Sequence, residues 1–158
     1  MILKCNMCGG DIVVTDHKTY GICDSCSSVT TLPNIDDEKI AIYYNRANHY
    51  RCLCEFDIAM NLYKDIINLD ITQAEAYWGT VLCRYGIEYV VDATNHTRVP
   101  TCHKASYDFI LDDMDYQSAL SCTDSEETRT LYINEAQYIQ NVQHEILALS
   151  REQEDYDI

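Results

Sequence analysis

The chain has 158 residues, 47% of them apolar, and a formal net charge of −15 at pH 7. This is enough material for a real core, either as one ordinary domain or as a small module joined to a larger one. The charge repels phosphate backbones and so disfavours nucleic acid as a partner. No run of about 18 apolar residues, the least that crosses a bilayer as a helix, occurs in the sequence.

Cys5-Asn6-Met7-Cys8 and Cys23-Asp24-Ser25-Cys26 are two Cys-x-x-Cys pairs separated by fourteen residues. That interval lets two knuckles meet, so that Cys5, Cys8, Cys23 and Cys26 close a tetrahedral four-thiolate zinc site with no open position, a structural staple and not a catalyst. Gly9 and Gly10 follow the first pair, where the backbone bends tightly and positive φ is needed; Ser27 and Ser28 occupy the same place after the second. Short β-prone stretches at Ile2 to Lys4, Asp11 to Val14, Tyr20 to Cys23 and Ser28 to Leu32 carry the knuckles. Residues 1–34 thus read as a β zinc ribbon. A module this small needs the metal to fold. The cysteine total is nine, an odd number, and no signal peptide precedes Cys5, which places the chain in a reducing cytoplasm. Cys52, Cys54, Cys83, Cys102 and Cys122 then read as small buried apolar residues.

Residues 35–153 read as a helical domain, making the fold class mainly α. Asp36, Asp37 and Glu38 put negative charge where the first helix begins. Ile40, Tyr43, Tyr44, Ala47 and Tyr50 recur at helical spacing, and Phe56, Ala59, Met60, Tyr63 and Ile66 do so again after a break near Cys54. A third helix starts at Thr72, with Glu75 completing a capping box, and stops at Gly86. Tyr43, Ala47, Tyr50, Ala59 and Tyr63 stand as in a tetratricopeptide (TPR) repeat, and Tyr77 follows Tyr43 by thirty-four residues, the period of that repeat. An ordinary antiparallel helical hairpin is the alternative. Ile66 and Ile71 depart from the repeat pattern.

A β-hairpin insertion spans about residues 87–101, with arms Glu88 to Val91 and Thr97 to Val99, a turn at Asp92 to His96, and Pro100 ending the second arm. His96, Cys102 and His103 lie near one another in sequence and form a loose candidate for a second metal site. Phe109 to Leu111 begin a helical turn, Tyr116 to Leu120 a short helix, and Thr123 with Glu126 caps a long one running to about Glu152. Its stripe of Tyr132, Ala136, Ile139, Val142, Ile146 and Leu149 suits packing across the preceding hairpins, or a self-associating seam.

No phosphate-binding glycine loop, nucleophile elbow or dinucleotide fingerprint is present, and His144-Glu145-Ile146-Leu147-Ala148 lacks the second histidine of a zinc protease. The chain therefore reads as non-catalytic. The Cys-x-x-Cys-Gly-Gly ribbon, the run from Asp36 to Arg51, Ala74-Glu75-Ala76-Tyr77-Trp78, Tyr85-Gly86-Ile87-Glu88-Tyr89-Val90 and Arg98-Val99-Pro100-Thr101 resemble the N-terminal region of a family of bacterial Toll/interleukin-1 receptor (TIR) domain proteins. The resemblance implies that residues 154–158, with Tyr156-Asp157-Ile158, begin a TIR domain absent from this chain. It also implies that the parent cleaves NAD in antiphage or cell-suicide defence, while this region senses a trigger, silences the effector or assembles it through protein contacts. No catalytic or nucleotide-binding residue of such a domain has a counterpart here. Two alternatives are a nucleic-acid-sensing ribbon using Lys4, Lys18 and Arg51, and a small metalloenzyme with an open coordination position.

Overall fold

Four three-residue strands build two antiparallel hairpins: β1 (Ile2–Lys4) with β2 (Asp11–Val13), and β3 (Tyr20–Ile22) with β4 (Val29–Thr31). In this computed structural model, which describes residues 2–14, 18–35, 37–94, 96–104 and 106–156, period-two alternation decides what each strand buries. Leu3 and Ile12 face each other inward, whereas the paired Ile2 and Val13 face out; in the second hairpin Ile22 and Val29 form the corresponding exposed pair.

Asp37 caps α1 (Glu38–Cys52), its carboxylate accepting from Lys39 N at 2.9 Å, while Asp36 lies outside the described residues. After the turn at Leu53 to Glu55 come α2 (Phe56–Leu69) and α3 (Ala74–Arg84), each packed on the helix before it. Ala47 and Ala59 are fully buried. A Cβ on Gly79 would meet the Tyr63 ring at 2.5 Å, so α2 and α3 touch at a distance that only glycine permits. The capping box at Thr72 does not form. Thr72 turns back onto the Asp70 carboxylate, and Glu75 points inward, away from its own helix end. A buried network that needs a hydrogen-bond acceptor has outcompeted a local cap.

β5 (Ile87–Val91) and β6 (Arg98–Cys102) form the third hairpin. Pro100 does not end the second arm. It sits mid-strand opposite Tyr89, between hydrogen-bonded positions marked by His103 N to Gly86 O and Asp92 N to Thr97 O, so the missing N–H breaks no ladder bond. Asn95, in the turn, lies outside the described residues.

A 3-10 turn at Ile110–Asp112 leads to α4 (Met114–Cys122), capped by Asp113, which accepts from Asp115 N and Tyr116 N. The same buried carboxylate also accepts from Arg84 Nη1 at 2.5 Å and Tyr85 Oη at 2.7 Å. Burial alone would raise its pKa, but Tyr85 and Arg84 outweigh burial and hold it below the ordinary value. Its contribution to stability is therefore complete at neutral pH and is lost as pH falls through that depressed value. Asp113→Ala removes a cap and strands Arg84 and Tyr85; a loss of about 2–4 kcal/mol is expected, read as a lower urea midpoint at unchanged slope.

The last helix, α5 (Glu126–Tyr156), has 31 residues and is about 46 Å long at 1.5 Å per residue. Its cap is Ser125, whose Oγ accepts from Thr128 N at 3.2 Å, and not Thr123. Tyr132, Ala136 and Ile139 are buried, joining Trp78, Ile87, Ile110 and Tyr116 in the main core; Tyr44, Tyr63 and Ile66 lie in a second core among α1, α2 and α3. The predicted stripe holds only that far. Val142 and Ile146 are half-buried, and Leu149 is 65% exposed. The helix also passes the boundary expected at residue 153. Tyr156 is helical, not the start of a strand, and Asp157 and Ile158 lie outside the described residues. No helix among the described residues is long and apolar enough to cross a membrane.

Candidate metal centre

The two knuckles are near copies of each other. Cys5 N donates to Gly10 O and Gly9 N to Cys5 O; in the second, Cys23 N donates to Ser28 O and Ser27 N to Cys23 O. Both turns need a left-handed residue, supplied by Gly9 at φ 77° and by Ser27 at φ 60°. Gly10 is required for a different reason. A Cβ there would lie 2.5 Å from Ser25 Oγ and 3.2 Å from Cys8 Sγ, so any side chain would force the knuckles apart.

The four sulfurs converge. Cys5 Sγ lies 3.9 Å from Cys26 Sγ and Cys8 Sγ 3.7 Å from Cys23 Sγ, and all four are within 4.8 Å of one another. A tetrahedral ion with metal–sulfur bonds of about 2.3 Å places its ligands about 3.8 Å apart, whereas a disulfide needs about 2.0 Å. The spacing therefore fits four thiolates around one metal ion and not two disulfides. Backbone amides face the sulfurs, with Met7 N 3.4 Å from Cys5 Sγ and Gly10 N 3.3 Å from Cys8 Sγ. Burial pushes the Cys5 and Cys8 thiols up; at Cys26 burial acts the same way, but hydrogen bonds from Ser28 outweigh it and bring that thiol down. A bound cation would favour the thiolate form at all four positions.

Behind the cysteine cluster, one buried acid gathers several of the bonds that join the N-terminal hairpins to the helices. Asn6, inside the first knuckle, donates Nδ2 to Glu75 Oε1 at 3.0 Å; Thr31 Oγ1 donates to the same oxygen at 3.0 Å, and Tyr132 Oη to Oε2 at 2.5 Å. β4, α3 and α5 thus meet on a single carboxylate, 5% exposed. Asn45 and Asn48 of α1 bond the backbone of Ile2 and Lys4, giving the β1 edge a partner, and Thr128 of α5 donates to Thr19 O. None of these side chains announces itself by sequence spacing. The one available signal was Glu75, a charged residue among the apolar positions of α3.

An open cleft of about 580 Å³ lies beside this junction, lined by Thr19, Asn34, Thr72, Gln73, Glu75 and Asp124 among others. Glu75 has both oxygens engaged within the protein, and Asp124 is exposed.

Other sequence candidates scatter. Of the five remaining cysteines only Cys83 is buried; Cys52, Cys54, Cys102 and Cys122 are half-buried. His96, Cys102 and His103 do not come together: Cys102 Sγ donates to Tyr85 O, and His103 turns to Glu88 and Cys54. Arg51 cannot reach a phosphate, because it is 1% exposed and donates to Tyr63 Oη within the helical core. Lys4 is paired with Asp11 at 2.6 Å.

The four cysteines lie close together in an arrangement compatible with a metal site. No protein-family model matches the chain, nor does any curated protein or solved structure.

Proposed function

We propose that this chain is a non-catalytic, zinc-stapled ribbon docked on a TPR-like helical scaffold, acting through protein contacts to regulate or assemble an effector domain. Zinc is the metal of choice because four thiolates in a tetrahedron suit it and a reducing cytoplasm keeps them free. The observation that carries the reading is the exposed side of each N-terminal hairpin. Ile2 with Val13 and Ile22 with Val29 are cross-strand apolar pairs, exposed by 47% to 67%, in a module whose own core needs neither. Exposed paired apolar side chains of this kind favour a protein partner, while the charge of −15 and the burial of Arg51 disfavour nucleic acid. The resemblance to the N-terminal region of bacterial TIR proteins supplies the kind of partner, a TIR effector domain.

The test uses a protein in which this region precedes a TIR domain. Val13→Ser with Val29→Ser should leave metal content intact while changing NAD cleavage or assembly of the effector at least severalfold. Unchanged cleavage and assembly, both in that variant and on deleting the whole region, would overturn the reading.

A further inference from the structure

Outside the ribbon, three side chains of different chemistry converge where the α1–α2 turn meets the β5–β6 hairpin. Cys54 Sγ is 3.9 Å from His103 Nε2, His103 Nε2 is 2.9 Å from Glu88 Oε1, and all three ligand atoms lie within 4.8 Å of one another. The geometry points to a second metal site, formed by Cys54, Glu88 and His103, that takes a divalent cation of zinc's borderline softness and leaves its fourth position to water.

Sulfur and carboxylate meet the same ring nitrogen. A cysteine–histidine–acid relay would place the thiol on one nitrogen and the acid on the other, so this arrangement is not a nucleophile's. It is a set of donors around one point. A tetrahedral zinc would place sulfur and nitrogen about 3.5 Å apart and nitrogen and oxygen about 3.3 Å apart; each separation is within a few tenths of an ångström of that. Cysteine, histidine and carboxylate together suit zinc or cobalt(II) better than magnesium or calcium.

The ligands are held by fixed backbone, the C-terminal closure of α1 and the β5–β6 ladder. Cys54 adopts φ 62° just past the end of α1, where glycine is the ordinary occupant, with its N–H bonded to Arg51 O. His103 N donates to Gly86 O at 2.8 Å, and Thr101 Oγ1 donates to Glu88 O at 2.9 Å, fixing both hairpin ligands. The His103 ring packs against Phe56 with centroids 5.8 Å apart. Lys104 lies over the Phe56 ring, 5.7 Å from its centroid, and 3.8 Å from Asp57. With the thiolate and carboxylate supplying two negative charges, a dication leaves the site neutral. Binding transfers the Cys54 thiol proton to solvent, one per metal, and nothing is oxidised or reduced.

The full-length chain, freed of all metal by a chelator in denaturant under reducing conditions, is refolded during titration with cobalt(II) and followed by metal content and visible absorption. Two equivalents are expected, the second binding at least tenfold more weakly and with weaker thiolate-to-metal absorption, since it has one sulfur ligand instead of four. His103→Ala and Cys54→Gly should each lose the second equivalent and retain the first. Cys54→Gly is informative because glycine suits the left-handed backbone and keeps the turn folded. Saturation of the wild type at one equivalent, or a second equivalent that survives either substitution, would overturn the site.

Discussion

Replacing Cys23 by serine should release the metal and unfold the ribbon, with consequences that reach well beyond it. A structural zinc contributes about 10–16 kcal/mol of apparent binding energy to modules of this kind, more than any core of four three-residue strands can supply. Removal of one thiolate leaves Cys5, Cys8 and Cys26 clustered around a weakened site. The helices have their own cores about Tyr44 and Trp78 and should keep their far-ultraviolet circular dichroism. They should not keep their stability. Asn6 and Thr31 would leave Glu75, and Asn45 and Asn48 would lose the β1 edge. The expected result is loss of stoichiometric metal together with a fall of several degrees or more in the thermal midpoint of the helical part. A Cys23→Ser protein that melts like the wild type would mean that the ribbon is only tethered.

The second large effect concerns Glu75. Glu75→Ala takes the acceptor from the hydroxyls of Thr31 and Tyr132, leaves Asn6 Nδ2 only Thr31 to donate to, and removes a buried acid coupled to the buried Arg51, so a loss of about 3–5 kcal/mol is expected. Glu75→Gln should cost far less. Its carbonyl can accept from Asn6 and Thr31, and its amide can donate to the Tyr132 hydroxyl, which accepts as readily as it donates. The two variants also differ in their dependence on pH. Burial raises the Glu75 pKa more than Tyr132, Asn6 and Thr31 lower it. The folded chain therefore holds this proton more tightly than the unfolded one, and wild-type stability falls as pH rises from the ordinary glutamate value to the raised one. Glu75→Gln should flatten that part of the profile, as measured by urea midpoints across the acid range.

The parts legible in the sequence are those whose signal is local. Cysteine spacing announced the clustered thiols, because a knuckle is a turn of a few residues, and the positions of Gly9 and Gly10 marked where the chain must bend. Helical periodicity located α1 and α2, and Gly86 the end of α3. The caps failed for a common reason. Thr72 and Thr123 had the right neighbours, but Asp70 and Ser125 offered competing local bonds, and Glu75 was claimed by residues 44, 57 and 69 positions away. Pro100 looked like a strand end because its hydrogen-bonding parity depends on register, which the turn sets. Cys54 and His103 are separated by 49 residues and meet only once the hairpin folds back onto the α1–α2 turn.

Elemental analysis of the chain, expressed without added metal and dialysed against a chelator at neutral pH, tests the central claim most directly. One tightly retained zinc per chain is predicted, absent from Cys23→Ser. A folded wild-type chain with no retained metal, or with Cys5–Cys26 and Cys8–Cys23 recovered as disulfides under reducing conditions, would contradict it.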